Sequence, residues 1–223
     1  MVLRVNDTIP NFHRIEDLKH FLETTGCRRC ELGSQEGLHG CCVARGTSKN
    51  KLMIVGEAPG KNEDLTKTPF SGPAGKKLDE IWASVGMSTK DWWLTNTINC
   101  RPIAPPGSGR ENTPPTAAQK KACNVFLFDQ IRLLQPRIIV PLGAVATASI
   151  LGMSSIKMGD YRGRLFQKEF PANSGRECDI FPMYHPSYLI RNNGNKERYN
   201  SIRSIIWKDI QLLKSLVDRL DTV

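Results

Sequence analysis

The feature that most limits how this chain can fold is an alternation of short, wholly apolar runs with stretches of helical periodicity. Leu52-Met53-Ile54-Val55, closed by Gly56, is the clearest run. Residues 92–98, 137–142 and 180–184 are three further strand candidates. Strands that read as continuous apolar runs are buried on both faces, as in parallel sheets covered by helices. Between them lie the helical patterns. Residues 75–85 place Leu78, Ile81, Trp82 and Val85 on one face, and 116–134 is long and amphipathic. Gly143-Ala144 leads into a helix ending near Gly152, and 201–220 closes the chain. The alternation predicts a three-layer α/β/α fold with a mostly parallel central sheet flanked by helices.

With 223 residues the chain suits one domain with a core of its own. Residues 51–223 carry the α/β pattern, and residues 1–50 read as an N-terminal arm. Ile15, Leu18, Phe21 and Leu22 give that arm one helix, and a polar, glycine-rich loop follows it. Residues 102–115, rich in Pro and Gly, read as a mobile excursion.

A net charge of +9 points to a polyanionic partner, with nucleic acid first. The apolar stretch 138–153 is interrupted by Pro141, Gly143, Thr147 and Ser149. It falls short of the ~20 apolar residues that span a bilayer. No membrane role and no secretory leader is expected, which places the protein in the cytoplasm with the DNA, or in the nucleoid of a prokaryote. There, seven cysteines point to metal or catalytic use rather than disulfides.

Ligands of open α/β sheets sit at the carboxyl ends of the strands. Three polar clusters fall there: Gly56-Glu57-Ala58-Pro59-Gly60, then residues 96–100, then Tyr184-His185-Pro186-Ser187. Each alone is ambiguous, since a glycine-rich strand end is as often a plain turn as a binding loop. Together they resemble one family. Gly56 to Asp64, followed by Pro69-Phe70-Ser71-Gly72-Pro73-Ala74-Gly75, is similar to the first motif of family 4 uracil-DNA glycosylases. Thr95-Asn96-Thr97-Ile98-Asn99-Cys100-Arg101-Pro102 resembles their second motif, and residues 182–191 their third, in the same order. The similarity runs from about Cys27 to the final helix.

The resemblance implies an enzyme that flips uracil out of single- or double-stranded DNA and hydrolyses its glycosidic bond, leaving an abasic site. His185 would donate a hydrogen bond to uracil O2 as negative charge develops on the departing base. The Asn96 amide would pair with O4 and N3–H, a pattern cytosine inverts. Phe70 would stack on the base, and Glu57, Ala58 and Gly60 would line its pocket. The best-known uracil-DNA glycosylases carry an Asp where this chain has Ala58. Glu57 is therefore the expected water-positioning base, with Glu63 second and also a candidate for excluding thymine. Tyr188 and Leu189 would fill the vacated stack as a wedge, while Lys61, Ser187 and Arg191 would contact phosphates.

Cys27 and Cys30 are spaced so that both sulfurs reach one centre. From spacing alone, zinc held by four thiolates is as reasonable as iron and sulfur. The resemblance makes Cys27, Cys30, Cys100 and Cys123 ligands of a structural four-iron, four-sulfur cluster that ties the arm to the sheet. Cys41 and Cys42 are extra, and either is able to replace an expected ligand; Cys178 reads as a free thiol. A monomer is expected. Two other readings keep the fold but not the activity: a uracil-DNA binder, and an iron–sulfur module of a replication assembly. Intact Asn96 and His185 argue against both.

Overall fold

In a computed structural model, which describes residues 9–35, 37–170 and 175–220, the apolar runs form the centre of a six-stranded sheet. In chain order the strands are β1 (Arg45–Gly46), β2 (Leu52–Gly56), β3 (Trp93–Asn96), β4 (Ile138–Pro141), β5 (Phe166–Glu169) and β6 (Glu177–Ile180). They are arranged β1-β3-β2-β4-β6-β5. The four central strands run parallel, and β1 and β5 pair antiparallel at the two edges. The fourth strand lies at 177–180 rather than 180–184. Beyond Ile180 the chain still follows β4, with Phe181 N–H donating to Ile139 O and Met183 N–H to Pro141 O.

Side chains alternate across the sheet because successive Cβ atoms point to opposite faces. Met53, Val55, Trp93, Ile139 and Ile180 pack on one side with α1 (Ile15–Thr24), α4 (Ala117–Leu134) and α5 (Ala144–Leu151). Leu52, Ile54, Leu94, Ile138 and Val140 pack on the other with α3 (Pro73–Ala83) and α8 (Lys196–Leu220). Three layers result, as the alternation requires. Three short helices complete the chain: α2 (Lys61–Thr66), α6 (Met158–Tyr161) and α7 (Pro186–Arg191).

Helix ends follow local chemistry. The Thr116 hydroxyl accepts from Gln119 N–H, whose side chain reaches back to Thr116 N–H, so α4 starts on a capping box. Gly152 ends α5 in the left-handed conformation that glycine adopts without strain. Residues 1–8 of the arm lie outside the described residues. The rest of the arm buries Ile15, Leu18 and Leu22 against α4 and its neighbours. At roughly 1.5–3 kcal/mol per buried side chain, that contact helps hold the arm to the core.

The segment 102–115 folds back on itself as a laced hairpin. Ala104 N–H donates to Glu111 O and Thr113 N–H to Pro102 O, while Arg101 Nε donates to Asn112 Oδ1 at 2.6 Å. No described helix is long and apolar enough to cross a membrane.

Candidate active site

After β3 the chain crosses back over β2 to reach β4, so the direction of strand addition reverses beside β2. The carboxyl ends of the strands diverge there and leave a crevice. A pocket of about 600 Å³ opens at that point. Glu57 to Gly60 line it from the end of β2, Gly143 to Val145 from the end of β4, and Tyr184, His185, Ser187, Tyr188 and Arg191 from the end of β6 and α7. Met158-Gly159 and the hairpin residues Pro102, Asn112 and Thr113 close its sides. Sequence reasoning missed these last two walls. The Arg162 side chain donates to Asp209 on α8 (Nε to Oδ2, 2.7 Å), which fixes the segment carrying Met158 and Gly159. Nothing in the sequence pairs those two positions.

His185 sits at the start of α7, half-buried. Its Nδ1 lies 3.2 Å from the donating Ser187 N–H and 2.8 Å from Ser187 Oγ. Arg191 Nη1 donates to that same Oγ at 2.8 Å, which leaves the hydroxyl proton directed at the ring. Two donors on Nδ1 place the ring proton on Nε2. Burial, with the Arg191 charge adding to it, pushes the His185 pKa down to about 4. The imidazole is thus neutral near pH 7, with a fixed N–H donor.

Asn96 ends β3 and is 4% exposed. Its side-chain amide makes no hydrogen bond to another described residue. The amide atoms are not among the fully buried unpartnered polar atoms, so they stay open to solvent or to a ligand. Gly56 explains the space around it: a Cβ there would lie 2.3 Å from Asn96 Oδ1 and 2.7 Å from Phe70 Cζ. Phe70 adopts φ +57°, unusual for a non-glycine residue, and its ring stacks toward His185 with centroids 6.2 Å apart. Gly56, Phe70, Asn96 and His185 therefore converge, with Phe70 and Asn96 behind the open pocket rather than on its rim.

The two candidate carboxylates separate clearly. Glu57 lines the pocket, and burial raises its pKa against the opposing pull of Lys120 and Arg191. Glu63 is already engaged: one oxygen accepts from Gly60 N–H at 3.1 Å and the other from Gly72 N–H at 2.9 Å. This clamp joins the two halves of the first motif and occupies both oxygens of Glu63.

One of the residues expected to touch DNA is buried instead. Leu189 is 2% exposed and packs into the core between α3 and α8, so it is not a wedge. A six-residue helix starting at Pro186 turns that position inward and leaves Tyr188 at the pocket, its ring 5.0 Å from Tyr184. Ser187 and Arg191 hold His185, and Lys61 lies on the exposed rim beside Glu111.

A second pocket, sharing no lining residue with the first, gathers Cys27, Cys30, Cys41, Cys100 and Cys123. Cys42 is fully buried outside it, and Cys178 lies in the core, where burial pushes its thiol up to about 12. No three His, Cys, Asp or Glu side chains among the described residues converge closely enough to hold a single ion. The pocket lining offers thiols and no carboxylate or imidazole, a soft donor set.

The family model described as the uracil DNA glycosylase superfamily matches residues 44–211. A type-4 uracil-DNA glycosylase of Thermotoga maritima is 33% identical over 79% of this chain and 83% of its own length. Those of Archaeoglobus fulgidus and Saccharolobus solfataricus are each 31% identical, over 80% and 86% of this chain and 85% and 82% of theirs.

Proposed function

This chain belongs to the uracil DNA glycosylase superfamily, and on that footing we propose how its pocket excises uracil from DNA. The observation that carries the reading is the Asn96 amide, without a partner among the described residues and set against the space that Gly56 leaves beside Phe70, whose ring faces His185. Uracil presents a carbonyl and an N–H side by side, and an amide held at one orientation satisfies both; cytosine reverses the pattern and leaves both unpaired. Phe70 supplies the flat apolar face for the flipped ring.

In the reaction the bond between N1 and the sugar C1′ breaks, and its electron pair leaves with uracil. Negative charge grows on O2, where the neutral His185 donates from Nε2. The water oxygen bonds to C1′ and its proton passes to Glu57, the carboxylate among the described residues that lines the pocket. Uracil departs as the anion and takes its proton from solvent. Tyr188 stands where the vacated stack would be filled, and the basic rim follows the strand. The chain acts as a monomeric single domain on single- or double-stranded DNA. A four-iron, four-sulfur cluster in the thiol pocket, held by four of Cys27, Cys30, Cys41, Cys100 and Cys123, would fasten the Cys27–Cys30 segment to α4 and supply no step of the hydrolysis.

Two outcomes test the pocket by single-turnover excision from a uracil oligonucleotide. Gly56→Ala drives a methyl into Asn96 and Phe70, and the rate should fall by about 100-fold or more, as expected when aligned reacting groups are displaced. A variant within about threefold of wild type would place the base elsewhere. The second outcome is the pH profile. Glu57 works only when ionised and its pKa is raised, so the rate should rise with pH through a value above the usual carboxylate range and level off beyond it. Glu57→Gln should abolish that limb, whereas Glu63→Gln should leave it in place. A limb that survives in Glu57→Gln assigns the base to another group.

A further inference from the structure

Five cysteines share the second pocket, while a cluster of the kind proposed takes four. The geometry points to Cys41 as a spare ligand for that cluster, placed to take over when Cys100 is lost; the inference rests on the cluster reading above. Cys41 Sγ lies 3.8 Å from Cys100 Sγ, and both residues are buried. The closeness is fixed by the backbone: Cys42 N–H donates to Asn99 O at 2.7 Å, which couples the residue after Cys41 to the residue before Cys100. The Thr95 hydroxyl donates to Val43 O at 2.7 Å and pins the same extended segment to β3. In an extended segment neighbouring side chains face opposite ways. Cys41 therefore turns into the pocket while Cys42 is buried on the opposite side, toward Glu63 and Asp64, so the two extra cysteines are not equivalent.

Two sulfurs at this separation address the same region of the pocket from adjacent backbones. Loss of the Cys100 thiol, by substitution or by oxidation, leaves Cys41 able to reach the same iron with a side-chain rotation. The bland alternative is that Cys41 only fills apolar space, as its packing among the core side chains allows. That alternative makes no difference between the single and double variants described next.

Full-length wild type, Cys41→Ala, Cys100→Ala and the double variant are reconstituted anaerobically with ferrous iron and sulfide. Iron and acid-labile sulfide per chain are then measured, with circular dichroism to establish folding. Wild type and Cys41→Ala should load equally, Cys100→Ala should keep at least about half of the wild-type iron, and the double variant should be nearly empty. If alanine at position 100 prevents folding, Cys100→Val with and without Cys41→Ala, which fills the space but offers no ligand atom, gives the same comparison. Cys100→Ala as empty as the double variant overturns the inference. So does an empty Cys41→Ala, which would make Cys41 an obligatory ligand. A wild type that takes up neither iron nor sulfide overturns the cluster reading itself, and this inference with it.

Discussion

Asn96→Ala should reduce uracil excision by about 1000-fold or more while leaving the melting temperature within a few degrees of wild type. The two effects separate because the amide has no partner among the described residues, so its removal breaks no hydrogen bond of the fold. In the substrate complex it would make two, and losing both costs ~2–6 kcal/mol of transition-state binding. His185→Ala should lose about 100- to 1000-fold, the usual penalty for removing one donor from a developing oxyanion. Equal loss of activity and stability in Asn96→Ala would mean that the residue serves the fold rather than the base.

Removing the cluster should act on the other axis. Extraction of iron by a chelator under mild oxidation should lower the melting temperature by about 10 °C or more. A bound metal site adds its binding free energy to folding, and a domain of this size shifts ~2–4 °C per kcal/mol. Excision measured well below that temperature should stay within several-fold of the loaded protein, because the thiol pocket and the base pocket share no residue. The arm should remain docked through Ile15, Leu18 and Leu22. Unchanged melting would contradict a structural cluster. Loss of excision in protein that is still folded would show that the cluster reaches the pocket.

The layers were legible because β2 and β4 are wholly buried and apolar, whereas β6, Glu177-Cys178-Asp179-Ile180, is half charged and left its position to be read too late in the chain. The edge strands were not: β5 reads Phe166-Gln167-Lys168-Glu169, and β1 has only two residues. Helix α8 begins five residues earlier than its apolar periodicity indicates, since Lys196 to Asn200 lie mostly in solvent and leave no stripe. At the site, the residue types in the three motifs were readable, but their division of labour was not. Glu57 and Glu63 differ only in what surrounds them, and the amides of Gly60 and Gly72 meet Glu63 because a turn brings two segments together. The inward turn of Leu189 and the split between Cys41 and Cys42 depend likewise on register, which no local pattern fixes.

Uracil excision is measured by incubating the wild-type protein with an oligonucleotide carrying one uracil, single-stranded and opposite G or A, beside controls with cytosine or thymine there. Released base is identified by mass and abasic sites by alkaline cleavage. Free uracil and an equal amount of abasic product, from the uracil substrates alone, is the expected result. Folded protein that binds the uracil strand but releases no base would contradict the glycosylase account and leave a uracil-DNA binder in its place.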